Sequence, residues 1–495
     1  MARIEIRTDR PVGTVDERIF GGFIEHLGRC VYGGVFDEGS PRSDARGFRT
    51  DVLEAVRDLG LRHVRWPGGN FVSGYHWTDG IGPPDDRPRR TELAWYSEES
   101  NRFGTDEFMA WAAAAGVEPV LCLNMGTGTL DEALAWVEYC NGTGDTYWAG
   151  RRRANGHDEP YRVRYWGLGN EMYGDWQIGQ RTAQEYVTTA RQWAKAIRFL
   201  DPGVSLVSCG QSGVDDWDRV VIDGLAGLVD YHSVHLYTGS DDYWANVLQP
   251  HAAERAIAAA GALLDRAAYL RRLAHPAAIA YDEWNVWYRT MTVDLAERYT
   301  LADALAVATY LNIFVRNCSR VRMANLAQLV NAIAPVVATP DGAAAQPIYY
   351  PFLLHARAAL DFAVDAHVDG GLVPADAARW PLETSRWPHR VADLGPFTLV
   401  DAAASVSADR RRVAVTLVNR SPEAEPARLV LRDAAFDGDA AITTLTEGRA
   451  DDTWPLPGVR PARLEAVREP ARGPVLALAL PPQSFTVIEA PVSAS

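Results

Sequence analysis

The chain has no long apolar run, no surplus of positive charge and no closely spaced cysteines, and each lack removes a class of protein. No stretch is long and apolar enough to span a bilayer, and Met1-Ala2-Arg3-Ile4-Glu5-Ile6 lacks the apolar core of a secretion signal. The expected location is therefore the cytoplasm, with no membrane partner. Basic residues number 49 against 64 acidic ones, a formal charge of −15. Nucleic-acid binding, which wants a basic face, is excluded as an expectation, whereas a neutral ligand is compatible with this balance. The cysteines Cys30, Cys122, Cys140, Cys209 and Cys318 are odd in number and scattered, so reduced, buried thiols are expected. Histidines such as His26, His63 and His76 lack tight ligand spacing, so no metal is called. Gly126-Thr127-Gly128-Thr129 lacks the lysine and spacing of a phosphate loop and reads as a tight turn after a strand. No cofactor is expected.

What is present is a large globular composition, 47% hydrophobic and 23% charged over 495 residues, enough for a barrel with an appended module. Strand-like and helix-like segments alternate through the first three quarters, the pattern of a parallel sheet with helical crossovers. Strands are expected near residues 21–25, 63–66, 119–124, 165–171, 205–208, 231–237, 278–283 and 323–327. Eight strands suffice for a closed (β/α)8 TIM barrel. Residues 51–57, 105–115 and 302–314 carry apolar residues at helical spacing. Beyond about residue 370, Arg411 to Asn419 and Val475 to Leu480 alternate while helical patterns fade. That tail reads as an antiparallel β-sandwich. The expected division is a catalytic barrel over 18–370 and a jelly-roll-like sandwich over 371–495, joined by the N-terminal strand within 1–17.

Two segments carry the chemistry. Tyr165-Trp166-Gly167-Leu168-Gly169-Asn170-Glu171 and Ala278-Ile279-Ala280-Tyr281-Asp282-Glu283-Trp284 each read as a buried strand ending on a glutamate, the fourth and the seventh of the barrel. The C-terminal strand ends are where barrel enzymes place catalytic groups. Two carboxyl groups facing one pocket can cleave a glycosidic bond, one protonating the departing oxygen and the other attacking the sugar carbon or activating water. A strand-end carboxylate in a structural salt bridge is the plainer reading of any single glutamate. Two in matching positions favour a glycoside hydrolase.

The segments Gly22 to Arg29, Arg65-Trp66-Pro67-Gly68-Gly69-Asn70-Phe71, Tyr75-His76-Trp77, Gly80-Ile81-Gly82-Pro83, Gly167 to Glu171, Asp282-Glu283-Trp284 and Asn325-Leu326-Ala327-Gln328 together resemble the α-L-arabinofuranosidases of glycoside hydrolase family 51. The likeness spans residues from about 18 to 355. It implies a (β/α) barrel with a C-terminal sandwich, exo-acting double displacement with retained configuration on arabinofuranosyl-containing oligosaccharides, and often a homohexamer. Carried over residue by residue, Glu171 is implied as acid/base and Glu283 as nucleophile. Asn170 is implied to bond the hydroxyl beside the reacting carbon. Glu25, Arg65, Asn70, His235, Tyr237 and Gln346 are implied around the furanose, with Trp287 as an apolar wall. The acid needs a raised pKa, expected from Glu283 and partial desolvation. Glu25 and Arg65 have a plainer alternative, pairing with each other.

Most of the 16 tryptophans are read as core or interface. The loops Thr143–Gly150 and Pro84–Glu92 are expected over the pocket mouth, where loops set the leaving-group side. The two-glutamate barrel also supports a β-xylosidase or endo-glucanase. A silent carbohydrate-binding protein is the reading from another class.

Overall fold

A computed structural model describes residues 1–290, 294–375, 381–382, 389–390, 394–448, 456 and 460–494. Eight parallel strands close a barrel. They are β1 (Gly21–Phe23), β2 (His63–Trp66), β3 (Glu118–Leu123), β4 (Tyr165–Leu168), β5 (Ser205–Ser208), β6 (Tyr231–Thr238), β7 (Ala278–Val286) and β8 (Val321–Ala327). Each expected strand is found, and closure comes from β8 pairing parallel to β1 through Asn325 with Gly21 and Ala327 with Phe23. The strands are buried nearly throughout because helices cover the outside and side chains fill the inside.

The helices follow from the same patterning. In Thr50–Leu59 the buried positions Val52, Leu53, Val56 and Leu59 form one stripe, and Gly60, at φ 78°, ends the helix in the left-handed conformation that glycine adopts without strain. In Ala183–Leu200, Thr182 and Glu185 cap each other reciprocally while Tyr186, Ala190, Trp193 and Ile197 face inward. The Gly126–Thr129 segment is the expected turn. Asn124 Oδ1 accepts from the Gly126 and Thr127 amides, and Thr129 caps the helix Leu130–Asn141. All five cysteines are buried and free. Among the described residues, no helix is long and apolar enough to cross a membrane.

Beyond the barrel, nine strands form a mostly antiparallel sheet. The N-terminal strand Ala2–Thr14 lies inside it, antiparallel to Phe362–Asp369 and parallel to Glu425–Leu431. The sheet rolls over a separate core that includes Ile4, Ile6, Val415, Leu417, Leu429 and Ile488. The strand Arg412–Asn419 is buried on both faces beyond its first residue, which its alternation does not indicate. One face fills that core, and the other lies against the barrel helices Leu301–Arg316 and Tyr349–Ala358.

A buried polar network fastens barrel to sheet. Arg316 at the end of Leu301–Arg316 pairs with Asp401 at 3.0 Å and Glu254 at 2.5 Å. Asn312 donates to Asp401 at 2.7 Å and accepts from Thr416 at 2.6 Å. Arg420 donates to His251 at 2.8 Å. Burial opposes ionisation of Glu254, but His251 and Arg316 override it and lower its pKa to about 2. Arg316→Ala removes one partner each from Asp401, which keeps Asn312 and Arg420, and from Glu254, which keeps His251, and should cost about 1–3 kcal/mol, read as a lower urea midpoint with unchanged slope.

Two buried histidines, His63 on β2 and His355 in this layer, set an acid limit. Burial lowers His63 and His355 to about 4, so the unfolded chain takes up their protons first, below about pH 6.5. Their contribution is complete above that pH and is lost as pH falls from 6.5 toward 4, each approaching about 1.4 kcal/mol per pH unit. Glu254 adds a loss below about pH 4. Glu25, raised by burial to about 7, offsets one of the two histidines between about pH 7 and 4.5, so the denaturation midpoint should decline modestly from pH 6.5 downward, and a midpoint that rises toward pH 4.5 would contradict the burial argument.

Candidate active site

The site lies at the C-terminal ends of the barrel strands, where the first residues beyond β1, β2 and β4 converge on β6 and β7. Arg65, the third residue of β2, is buried, with its guanidinium 4.5 Å from the centre of the Phe23 ring. It donates to Glu283 Oε1 at 2.7 Å and to Asn170 Oδ1 at 2.6 Å, and its Nε lies 3.7 Å from Asp282. One cation thus gathers three groups from two strands. Asn170 leaves its Nδ2 buried without a partner.

Glu283 lies within β7, where the pairing with β6 shifts register between Ala280 and Glu283. Its second oxygen accepts from the Tyr237 hydroxyl at 3.0 Å. Burial raises its pKa and Glu171 adds to that rise, against the opposing pull of His235 and Arg65. Glu171 stands three residues past β4 at φ 43°, a left-handed conformation uncommon for a residue with a side chain. Glu171 Oε1 accepts from Tyr173 at 3.2 Å and meets His235 Nδ1 at 3.0 Å, while Oε2 accepts from Trp176 Nε1 at 2.8 Å. Burial pushes Glu171 up, yet these donors outweigh it and hold its pKa below the usual glutamate range. The expected raised pKa of Glu171 is therefore reversed, because three donors converge on it.

His235 on β6 touches both glutamates. Its Nδ1 is 3.0 Å from Glu171 and 3.6 Å from Glu283, and its Nε2 is 3.3 Å from Asp282. Oxygens of Glu171 and Glu283 and a His235 nitrogen all lie within 4.8 Å of one another. The short carboxyl separation of glycosidases, about 5–5.5 Å, is of this order.

Glu25 and Arg65 do not pair with each other. Glu25 accepts from the Phe71 amide, Trp95 Nε1 and Gln328 Nε2, each at 3.0 Å. Burial and the nearby Glu283 raise its pKa to about 7 against those donors. Asn70 opens a short helical turn, is half-buried, and its amide bonds to no described residue. Trp287 sets its ring edge-on to Tyr237 at 5.5 Å and donates to Thr290 O at 2.6 Å. Gln346 is fully buried, donates to Glu297 O and Ala334 O and accepts from the Tyr299 amide, so in this structure its amide braces backbone.

The two loops also part company. Pro84–Glu92 leads into a hairpin of Arg90–Glu92 with Ser97–Glu99, whose turn sends Trp95 down to Glu25 and leaves Tyr96 exposed. Thr143–Gly150 instead runs into the helix Tyr147–Ala154, held by Arg152 on the carbonyls of Tyr139 and Gly142. It follows the C-terminal end of Leu130–Asn141, and its Trp148 packs on Trp77 with ring centroids 5.1 Å apart.

Sequence reasoning missed Asp282, Trp95, Gln328 and the pair Tyr173 and Trp176. Asp282 and Gln328 stood inside quoted motifs, next to residues that were singled out. Trp95 carried no signal, because its contact with Glu25 is made across a hairpin turn.

A closed barrel with two glutamates and an arginine clasp at its catalytic face defines a glycoside hydrolase. The family model of the alpha-L-arabinofuranosidase 1 domain matches residues 55–255, and that of the alpha-L-arabinofuranosidase C-terminal domain matches residues 282–453. The chain is 45% identical over 429 residues to a probable alpha-L-arabinofuranosidase C of Aspergillus clavatus, covering 82% of this chain and 85% of that one. It is 41% identical over 362 residues to an intracellular exo-alpha-(1->5)-L-arabinofuranosidase of Halalkalibacterium halodurans, covering 69% and 72%. A crystal structure of the thermostable alpha-L-arabinofuranosidase of glycoside hydrolase family 51 from Thermotoga petrophila superposes with a TM-score of 0.88 at 39% identity, over 99% of this chain and all of that one. The chain belongs to the α-L-arabinofuranosidases of glycoside hydrolase family 51.

Gly69 sits between the carboxylates. A Cβ there would lie 3.1 Å from Glu25 and 3.2 Å from Glu283. Gly69→Ala should displace both and lower kcat/KM by roughly 10²-fold with an unchanged thermal midpoint. Full activity would show that the two carboxylates tolerate displacement.

Proposed function

We propose that the protein is a retaining, exo-acting α-L-arabinofuranosidase that releases terminal arabinofuranosyl residues from oligosaccharides by double displacement. The observation that carries this reading is the approach of Glu171 and Glu283 to within 4.8 Å around one pocket. At that separation Glu283, oriented by Arg65 and Tyr237, attacks the anomeric carbon as Glu171 protonates the departing oxygen. The glycosyl ester then forms, and the leaving alcohol departs with the proton. Water enters and gives its proton to Glu171, its oxygen bonds the anomeric carbon, and Glu283 is freed as carboxylate.

The unpartnered Asn170 Nδ2 donates to the hydroxyl beside the reacting carbon. Glu25 and the unengaged Asn70 amide hold the remaining hydroxyls, and the Tyr237–Trp287 pair forms the apolar wall. Trp95 and its hairpin close the Glu25 side, which suits a terminal ring more than a continuous chain. Arg65 serves beneath the sugar, as the clasp of Glu283 and Asn170, more than as a sugar ligand. The name of the Halalkalibacterium relative supports an exo mode and an intracellular site, and the hexamer implied by the resemblance is checked by light scattering.

The test uses leaving groups. Glu283→Gln should abolish turnover of every substrate. Glu171→Gln should lose roughly 10²–10⁴-fold on alkyl arabinofuranosides and far less on 2,4-dinitrophenyl α-L-arabinofuranoside, with azide accelerating breakdown of the glycosyl-enzyme formed from it to the arabinofuranosyl azide. Equal losses without azide rescue would remove Glu171 from the acid role. The wild type should prefer aryl α-L-arabinofuranoside to aryl β-D-xylopyranoside. The reverse preference would support the xylosidase reading, and no hydrolysis of either the silent binding protein.

A further inference from the structure

His235 was expected to touch the sugar, yet both of its nitrogens are occupied by carboxylates. Nδ1 meets Glu171 at 3.0 Å and Nε2 meets Asp282 at 3.3 Å. A neutral imidazole carries one N–H, so it can donate to only one of two ionised carboxylates; the other contact would set a lone pair against an oxygen. Two proton arrangements satisfy both sides. In the first, His235 is an imidazolium between Glu171 and Asp282 carboxylates. In the second, the Nδ1 proton has crossed to Glu171 and only the Nε2–H···Asp282 bond retains a histidine proton. The second arrangement is the acid-competent one, reached by moving one proton along one hydrogen bond.

We propose that His235, backed by Asp282, holds the catalytic proton in the resting enzyme and passes it to Glu171 when a substrate binds. The inference rests on the reading of Glu171 as acid/base. His235 acts through Glu171 and is a positioning residue. Asp282 suits the backing role because it stays ionised. Its Oδ1 accepts from Ser233 at 2.5 Å and Arg65 stands 3.7 Å from its Oδ2, and against burial Arg65 and His235 hold its pKa below the usual range.

Charge timing follows from Glu283. At 3.6 Å from Nδ1, its negative charge favours the imidazolium while the nucleophile is free. Burial opposes the charge on His235, but Glu283, Asp282 and Glu171 outweigh it and raise its pKa to about 10. When Glu283 becomes a neutral ester that support disappears, and the proton goes with the alcohol. The balance closes. Before the step the site holds imidazolium, Glu171 carboxylate and Glu283 carboxylate. After it, the site holds neutral His235, Glu171 carboxylate and the ester, and the proton has left on the alcohol oxygen. In the second step the water's proton passes through Glu171 back to His235 as Glu283 regains its charge.

Other titratable or charged groups face this site. They are Tyr173 beside Glu171, Cys209 after β5, Tyr237 on β6, Arg65 on β2 and, on the Glu283 side, Glu25 after β1. Burial drives the pKa of Tyr173, Tyr237 and Cys209 well above their usual ranges and Arg65 stays charged, so Glu25, at about 7, is the one of these that exchanges a proton near neutral pH, and it does so equally in wild type and both variants.

The test is His235→Gln, whose side chain can still donate to one carboxylate but cannot carry the extra proton, alongside Asp282→Asn. Wild type, both variants and Glu171→Gln are assayed on methyl and 2,4-dinitrophenyl α-L-arabinofuranoside from pH 4 to 10. His235→Gln should lose at least 100-fold on the methyl glycoside and no more than about 10-fold on the dinitrophenyl one. The alkaline limb for the methyl glycoside should move to lower pH in both variants. Equal losses on the two substrates, or an unmoved alkaline limb in Asp282→Asn, would overturn the proposal. Should His235→Gln fail to fold, the limb of Asp282→Asn decides alone. A wild type or Glu171→Gln without leaving-group dependence would fail the acid/base reading itself, a distinguishable result.

Discussion

The buried Arg65 guanidinium is the constraint on which the rest of the site depends. Four carboxylates, Glu25, Glu171, Asp282 and Glu283, crowd one end of a barrel, and unpaired buried charges of one sign are costly. Arg65 is the fixed positive group among them, and His235 is the second cation, on the opposite side. Between them the two cations bring strand ends from β2, β4, β6 and β7 into one arrangement. The planar fork of arginine lets it bind Glu283 and Asn170 at once, which ties the orientation of the Glu283 carboxylate to that of the buried Asn170 amide.

The outer structure serves this arrangement by rigidity. The barrel closes through the β8–β1 pairing, and the Arg316–Asp401–Asn312 network joins its helices to the rolled sheet that also holds the N-terminal strand. The hairpin that carries Trp95 is the element placing a second layer over the pocket, and it fixes Glu25 from above while Gln328 fixes it from β8. Glu25 is thereby oriented by groups from three segments distant in sequence.

Much of this was legible in the chain. The eight strands are short apolar runs bounded by turn residues, and Glu171 and Glu283 were expected to close two of them, whereas Glu171 stands three residues past β4 and Glu283 lies inside β7. The paired arrangement of the pocket was not legible. Asp282 reads as one more acid beside the nucleophile, and only the fold turns it toward His235. Gln346 matched a family position, yet the strand and loop that bury it lie near in space and not in sequence. The packing of Trp148 on Trp77 was not legible either, because a polar, glycine-rich segment carries no periodic signal. The low pKa of Glu171 depends on Trp176, Tyr173 and His235, three donors whose convergence no spacing rule records.

The central claim is that Glu283 attacks the sugar itself, through a carboxyl pair too close to admit a water between them. The stereochemistry of the first product tests it most directly. Proton NMR of a methyl α-L-arabinofuranoside hydrolysis, followed from the first minutes before the released sugar equilibrates, should show the α-anomer of arabinofuranose appearing first. The β-anomer appearing first would mean that water attacks from the opposite face, and would contradict the account.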